Sequence, residues 1–321
     1  MRGHVDTTPI ILDVDPGHDD AVAMLMAAAS PAIELLAVTC VAGNAPLAHT
    51  QRNARTVLTV AGVTDVPVAA GLDHPLVRPL VTAAHVHGAT GLDGPELPDP
   101  TVDLDPRHAV DLIVEVAAAA PRPITLVPTG PLSNIAMALR RAPRLAEQVE
   151  RIVLMGGAIG EGNITPSAEF NIYVDPEAAH IVFASGIPIT MIGLDVTHQA
   201  IIGLTEVAAM RAMDTPVALM VAGLFDYYAR LQHERYGWDR APLHDPCCVA
   251  ELIRPGLITT RPMDVQIETA SLLTLGRTVC DRWNVTGRTP NADVGIAIDR
   301  QGFVDVLMEC LGRYGTVASS Q

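Results

Sequence analysis

Four carboxylates fall within eight residues in the run Asp13-Val14-Asp15-Pro16-Gly17-His18-Asp19-Asp20, set between the apolar stretches Ile10-Ile11-Leu12 and Ala21-Val22-Ala23-Met24-Leu25-Met26. Like charges this close repel, and burial raises the pKa of each carboxyl. The arrangement is therefore favourable only where a cation or a set of hydroxyl donors sits among the acids. The run reads as a metal site. Chain turning by Asp13 and helix capping by the Asp19/Asp20 pair would explain one or two acids, but not four.

The flanks indicate what carries those acids. A short apolar run, then Pro-Gly, then an acidic helix start with apolar residues at Val22, Leu25, Met26 and Ala29 is a strand–loop–helix unit. The carboxylates then lie at the C-terminal end of a strand, where open parallel sheets bind ligands. Further strand-like segments, Ile33 to Val41, Val66 to Ala70, Ile124 to Pro128, Arg151 to Met155 and Ile189 to Gly193, alternate with Ala-rich helical patterns. That alternation predicts an α/β fold with a doubly wound, open, mostly parallel sheet flanked by helices. The segment from Gly71 to Asp105 reads as a long loop of functional rather than idle character. Residues 1–8 and 314–321 read as frayed ends of one catalytic domain.

Polar residues recur where these strands end: Gly43-Asn44, Thr129-Gly130-Pro131-Leu132-Ser133-Asn134 and Gly156-Gly157. Glycine lets a backbone approach a ligand closely, and a Thr carbonyl in such a turn suits a hard cation. Each alone is an ordinary βα turn. Glu161-Gly162-Asn163 and Glu169-Phe170-Asn171 set amides and acids around one aromatic, a mixture that suits a polyhydroxylated sugar. His244-Asp245 precedes Pro246 at a helix start; plain capping is the alternative there.

Composition narrows the chemistry. The chain has 321 residues, 49% hydrophobic but only 3% aromatic, so its core is aliphatic. A formal charge of −15, from 21 basic and 36 acidic residues, argues against nucleic acid and anionic membranes as partners. No apolar run is long enough to span a bilayer, and Met1 to Asp6 lacks the apolar region of a secretion signal, which predicts a cytoplasmic protein. All the basic residues are Arg. The absence of Lys excludes Schiff-base chemistry, a P-loop lysine and a lysine general base. Five cysteines, Cys40, Cys247, Cys248, Cys280 and Cys310, show no CxxC spacing, and Cys247-Cys248 read as small buried hydrophobes.

Together these segments resemble the inosine-uridine nucleoside hydrolase family, from Ile10 to about Leu311. The resemblance is carried by the Asp13 to Asp20 run, Gly43-Asn44, His87-Gly88-Ala89-Thr90-Gly91-Leu92-Asp93-Gly94, Pro128 to Ala136, Met155-Gly156-Gly157, Ala168-Glu169-Phe170-Asn171-Ile172 and His244-Asp245-Pro246. It implies hydrolysis of the N-glycosidic bond of ribonucleosides to ribose and free base. It also implies one Ca²⁺ held by Asp15, Asp20, Asp245 and the Thr129 carbonyl, with Asp15 as general base for a water. Asp19, Asn44, Asn163, Glu169, Asn171 and Asp245 would hold the ribose, with Asp19 also in the reacting centre. His87, Phe170, Tyr228, Gln232, Tyr236 and His244 would frame the nucleobase.

A carboxylate-lined site stabilises the positive charge that develops on ribose in the transition state. Attack by water predicts inversion at the anomeric carbon. The base leaves poorly as an anion, so either a protonated His244 donates to it or other groups delocalise its charge. Gln232 and Tyr236, four apart on one helix, resemble the pair that reads pyrimidine edges, which favours uridine and cytidine over inosine. Tyr228 is an alternative contact, unless Phe225, Tyr228 and Leu231 form only a buried stripe. Trp238 leaves a purine preference or a broad specificity open. The family resemblance also implies a homo-oligomer, dimer or tetramer.

His18 stands where the family often has an aliphatic residue, and it reads either as a loop histidine in solvent or as a neighbour that perturbs Asp19. Two other enzyme and binder classes fail on residues. A phosphatase that opens on a strand with Asp-x-Asp needs a lysine, and an EF-hand needs a Glu at its twelfth position, where Met24 stands. A non-catalytic ribose-binding module shares most of the same groups. The pairing of a base candidate, Asp15, with an acid candidate, His244, favours turnover.

Overall fold

A computed structural model of the chain describes residues 7–237 and 241–316, the side chains at 232, 235, 236 and 316 excepted. The main sheet begins with β1 (Thr8–Val14), β2 (Ile33–Cys40), β3 (Val68–Ala70), β4 (Leu104–Asp105), β5 (Ile124–Pro128), β6 (Val149–Met155) and β7 (Ile189–Ile192). Two later strands, Ile258–Met263 and Ala292–Ile298, complete it. The order is Ile258–Met263, Ala292–Ile298, β7, β6, β5, β1, β2, β3, β4. All pairings are parallel except the one at the edge, between Ile258–Met263 and Ala292–Ile298. The doubly wound, mostly parallel architecture expected from the alternation is present. The two late strands were not read from the sequence, and within the Gly71 to Asp105 segment lie the short helix Ala84–His87 and strand β4.

Parallel strands are covered on both faces, and β1 shows why its sequence is apolar throughout. Ile10, Leu12 and Val14 enter one core cluster while Ile11 enters the other, as alternating side chains must. Burying each of these aliphatic side chains contributes roughly 2 kcal/mol. Helix α1 (His18–Ala29) follows β1 and is buried on every side from His18 to Ala27, consistent with its nearly all-apolar sequence. Asp20 Oδ2 accepts the Gly17 N–H at 3.0 Å and closes the helix start.

The winding reverses between β1 and β5. The chain proceeds outward from β1 through β2, β3 and β4, and then β5 returns to the other side of β1. This reversal opens a crevice at the carboxyl ends of β1 and β5, the preferred ligand position in such sheets. Asp13 pairs with Pro128 across that crevice.

The C-terminal end differs from expectation. The last helix, Arg300–Thr316, includes Tyr314, whose hydroxyl donates to Leu25 O at 2.7 Å. A half-buried aromatic ring with a satisfied hydroxyl anchors this end against α1. At the other end Thr8 already opens β1, so the expected fraying of residues 1–8 does not reach it, and residues 1–6 and 317–321 lie outside the described residues.

Candidate active site

Asp13 anchors the floor of the crevice. Its Oδ1 accepts from Thr39 Oγ1 at 2.5 Å and from Asn134 Nδ2 at 2.8 Å. Asn134 also donates to Cys40 O and accepts from Leu72 N, so one amide links the ends of β1 and β2 to the loop after β3. Burial pushes the Asp13 carboxyl up to about 7.

Asp15 and Asp20 come next. Asp15 Oδ2 accepts the Asn44 N–H at 2.6 Å, while Asp15 Oδ1 is a buried oxygen with no hydrogen-bond partner among the described residues. Asp20 Oδ1 accepts from Thr129 Oγ1 at 2.8 Å, and its Oδ2 accepts from Asn44 Nδ2 at 3.2 Å. Two glycines make room. A methyl group on Gly43 would overlap Asp15 Oδ2, and one on Gly130 would lie 2.6 Å from Asp15 Oδ1.

Asp245, from the other end of the chain, completes the cluster. Asp19, Asp20 and Asp245 offer oxygens that all lie within 4.8 Å of one another. Asp20 and Asp245 thus share one pocket, as the expected cation site required. The tight trio contains Asp19 where Asp15 was expected, because α1 turns Asp19 toward Asp245 while Asp15 is bound back by Asn44. The Thr129 carbonyl accepts from Asn171 Nδ2 at 2.7 Å, leaving it one lone pair for other use.

Burial, with mutual repulsion, pushes the acids up. Asp19 rises to about 7 by burial and the neighbouring Asp20 charge. Asp20 rises by burial. Asp15 and Asp245 rise well above the ordinary range, each first by burial and then by the adjacent carboxylates. An all-oxygen, desolvated cluster of carboxyls fits a hard divalent cation, which would hold them in their ionised form.

The sign of this coupling is testable. A carboxyl with a raised folded pKa makes the native state bind more protons than the unfolded chain, so stability falls as pH climbs toward that folded value. Below about pH 6.5 the buried histidines, whose pKa values burial lowers, oppose the trend. Between about pH 6.5 and 8 the acids act alone. The cation-free protein should lose about 5 °C of thermal midpoint across that window, and millimolar Ca²⁺ should abolish the loss. A midpoint that is flat with pH and insensitive to Ca²⁺ in calorimetry would remove the acid trio as a cation site.

Above the cluster opens a cavity of about 670 Å³. Asp19, Asn44, Thr129, Asn163, Glu169, Asn171 and Asp245 line it, as do His87, Phe170, Tyr228 and His244. Glu169 caps the helix Phe170–Val174, accepting from Asn171 N, Ile172 N and Gly157 N. Burial raises it to about 7 despite these bonds. Asn163 Oδ1 accepts the Phe170 N–H at 2.9 Å, which folds the sugar-side loop back on the helix start.

On the other wall, Tyr228 and Leu231 project into the cavity from the helix Pro216–Tyr236 and do not serve only as a buried stripe. Gln232 and Tyr236 belong to this helix, but their side chains lie outside the described residues, as does Trp238. His18 is buried, not solvent-exposed. Its ring stacks on His87 at 5.2 Å and on Tyr227 at 5.3 Å, and its Nε2 lies 2.8 Å from Asp93 O. It stands first on a helix that is buried from His18 to Ala27 and is itself 3% exposed.

The sequence reading missed Thr197, His198 and Asn53. Thr197 Oγ1 lies 2.7 Å from His244 Nδ1, and His198 lines the cavity. Both follow β7, so the attention to strand ends that found Asn44 and Thr129 would have found them. Asn53 Nδ2 donates to Pro16 O at 3.1 Å and to Thr90 O at 2.7 Å, joining two loops distant in sequence. A helical Asn carries no local sign of such a role.

A cation-sized acid cluster beneath a polar, partly aromatic cavity at a sheet's switch point belongs to a recognised class of hydrolases. The chain belongs to the inosine-uridine preferring nucleoside hydrolase family, whose model matches residues 10–305. It is an enzyme that hydrolyses the N-glycosidic bond of ribonucleosides. The chain is 53% identical over 307 residues to the pyrimidine-specific ribonucleoside hydrolase RihA of Shewanella sp. (strain MR-4), covering 95% of this chain and 96% of that one. It is 51% identical to the protein of the same name from Enterobacter sp. (strain 638), over 95% and 98% of the two chains. Among solved structures it resembles a purine-preferring ribonucleoside hydrolase from Gardnerella vaginalis, with TM-score 0.91, 33% identity and coverage of 97% and 100%. Among the described residues no helix is long and apolar enough to cross a membrane.

Proposed function

We propose that the chain hydrolyses uridine and cytidine in preference to purine ribonucleosides, with one Ca²⁺ held by the acid cluster. The observation that carries the reading is the meeting of Asp19, Asp20 and Asp245 beside Asp15, at the floor of a cavity lined by Asn44, Asn163, Glu169 and Asn171. The names of the relatives above 50% identity support the pyrimidine preference. The purine-preferring structure is more distant, at 33%.

In this reading Asp15, Asp20, Asp245 and the Thr129 carbonyl would hold the cation, with Asp19, which lies within 4.8 Å of the Asp20 and Asp245 oxygens, close enough to share it. A divalent cation held there would supply positive charge that keeps these acids ionised and favours polar, hydroxyl-bearing ligands at the cavity floor. Asn44, Asn163, Glu169, Asn171 and Asp19 fix the sugar by hydrogen bonds. Asp15 Oδ1, which has no hydrogen-bond partner among the described residues, takes the proton from the attacking water. The surrounding carboxylates stabilise the positive charge building on the ribose, and direct attack by water inverts the anomeric carbon.

At the base end, burial and the neighbouring His198 push His244 down to about 3. A ring neutral at pH 7 assists the departing base as a hydrogen-bond donor through Nε2–H, not as an imidazolium. His87, Phe170 and Tyr228 form the wall of the base pocket, and Gln232 and Tyr236 would read its polar edge. With this reading go two further expectations: assembly as a dimer or tetramer, from the family resemblance, and cytoplasmic residence, from the reading of the apolar runs and of Met1 to Asp6 in the sequence.

A reducing-sugar assay tests the proposal on uridine, cytidine and inosine, before and after chelation. The expected result is release of ribose, faster from the pyrimidine nucleosides, with loss of at least about 100-fold in rate on chelation and recovery with Ca²⁺. Tight ribose binding without release of free base would instead identify a binding module. Equal or greater kcat/KM on inosine would overturn the base preference alone.

A further inference from the structure

His244 stands on a loop that is tied twice to the chain leaving β7. The Leu243 N–H donates to Ala200 O at 2.9 Å, and the two-residue strands Ile201–Ile202 and Ala241–Pro242 pair antiparallel. A third tie reaches the ring itself, the 2.7 Å contact between Thr197 Oγ1 and His244 Nδ1. Thr197 is fully buried and stands behind the ring, while His244 lines the cavity. An imidazole held at Nδ1 carries Nε2 on its far side, so Nε2 is the nitrogen presented to the cavity. His198 meets the same ring edge-on, with centroids 5.7 Å apart and planes at 65°.

The turn that carries Thr197 is itself fixed by neighbouring strand ends. The Leu194 N–H donates to Gly157 O at 3.0 Å and the Thr197 N–H to Gly193 O at 3.1 Å. A methyl group on Gly193 would lie 2.5 Å from Gly157 O, so this close approach requires glycine. The hydroxyl is therefore indexed to the ends of β6 and β7. Met155, at the end of β6, also accepts from the Asn171 side chain through its carbonyl. The sugar side and the base side of the cavity share one frame.

We propose that Thr197 is a positioning residue that aims His244 Nε2 at the departing nucleobase through its hydroxyl. A hydroxyl suits this task because it can donate to an unprotonated Nδ1, which leaves the ring proton on Nε2, the nitrogen that faces the base. The inference rests on the reading of His244 as the group beside the leaving base. Thr197 touches no substrate in this account and acts only through His244.

The test compares T197V, T197S, H244A and the double variant T197V/H244A, each on uridine and on nitrophenyl riboside, at saturating Ca²⁺. Valine keeps the volume of threonine and removes the hydroxyl; serine keeps the hydroxyl. T197V is expected to lower kcat on uridine by about 10- to 100-fold, with KM and the nitrophenyl rate changed less than about threefold. T197S should stay within about threefold of the parent, and the double variant should be no slower than H244A. The inference is overturned by no loss in T197V, by equal loss on both substrates, by T197S as slow as T197V, or by the full T197V factor persisting in the H244A background. Should H244A alone slow both substrates equally, the donor reading of His244 fails. The double variant still decides whether Thr197 works through that ring.

Discussion

Replacing Asp15 by Asn is expected to cut kcat on uridine by about 10³-fold or more at saturating Ca²⁺, with the fold intact. The asparagine side chain has the same shape and keeps an oxygen for the Asn44 N–H, so the loop after β2 stays where it is. The variant loses only a negative oxygen that can accept a proton. Asp15 is pushed up by burial and by the neighbouring acids, so removing its charge relieves repulsion. The thermal midpoint of the cation-free D15N protein should therefore equal or exceed that of the parent. Weaker cation affinity is a separate expected effect, which is why saturating Ca²⁺ matters. A kcat near normal under that condition would remove Asp15 as the base, whatever its part in binding the metal.

Gly43→Ala should be nearly as damaging, and for a purely steric reason. The backbone there needs no left-handed conformation, but the added methyl would overlap Asp15 Oδ2 and lie 2.7 Å from Pro131 Cδ. Either Asp15 gives up its bond to the Asn44 N–H or the turn after β5 moves. Overpacking of this kind costs about 1–3 kcal/mol of stability. A displacement of about 1 Å in a reacting group costs about 100-fold in rate, which is the loss expected in kcat. Gly62→Ala is the control. Gly62 has φ +70 and open space around it, so alanine there is strained but touches nothing. That variant should lose about 1 kcal/mol of stability and no activity. Equal activity losses in the two variants, or none in G43A, would mean that the tight packing around Asp15 is not what holds the base in place.

The legible parts of the site were those written in consecutive residues. Asp13 to Asp20 showed itself because four acids between two apolar runs have few explanations, and α1 bears that out by burying Asp19 and Asp20 at its first turn. Asn44, Thr129 and Asp245 were legible through the resemblance and their places beside strand ends or a helix start. The place of His18 was not legible, because local polarity is compatible with solvent, whereas the burial of its helix is decided by elements far away in sequence. Thr197 stands just after β7, a position that strand ends mark as a candidate, but what it does there depends on a histidine 47 residues away, which no local spacing reveals. The two late strands, Ile258–Met263 and Ala292–Ile298, escaped because the first is mostly exposed along its length and carries no apolar run.

Composition and local pattern were enough to establish the chemistry available to this protein: carboxylates in excess, arginine as the sole basic side chain other than histidine, amides at the turns, and alternating strands and helices of the kind that build a wound parallel sheet. Those properties reside in neighbouring residues and survive without any knowledge of distant contacts. Which acids actually meet was settled by the reversal of winding between β1 and β5 and by the return of the chain at Asp245. The selection of Asp19 for the tight trio, the binding back of Asp15 by Asn44 and the seating of the His244 ring on Thr197 depend on ångström-scale packing between segments far apart in sequence. Spacing along the chain carries no information about such distances.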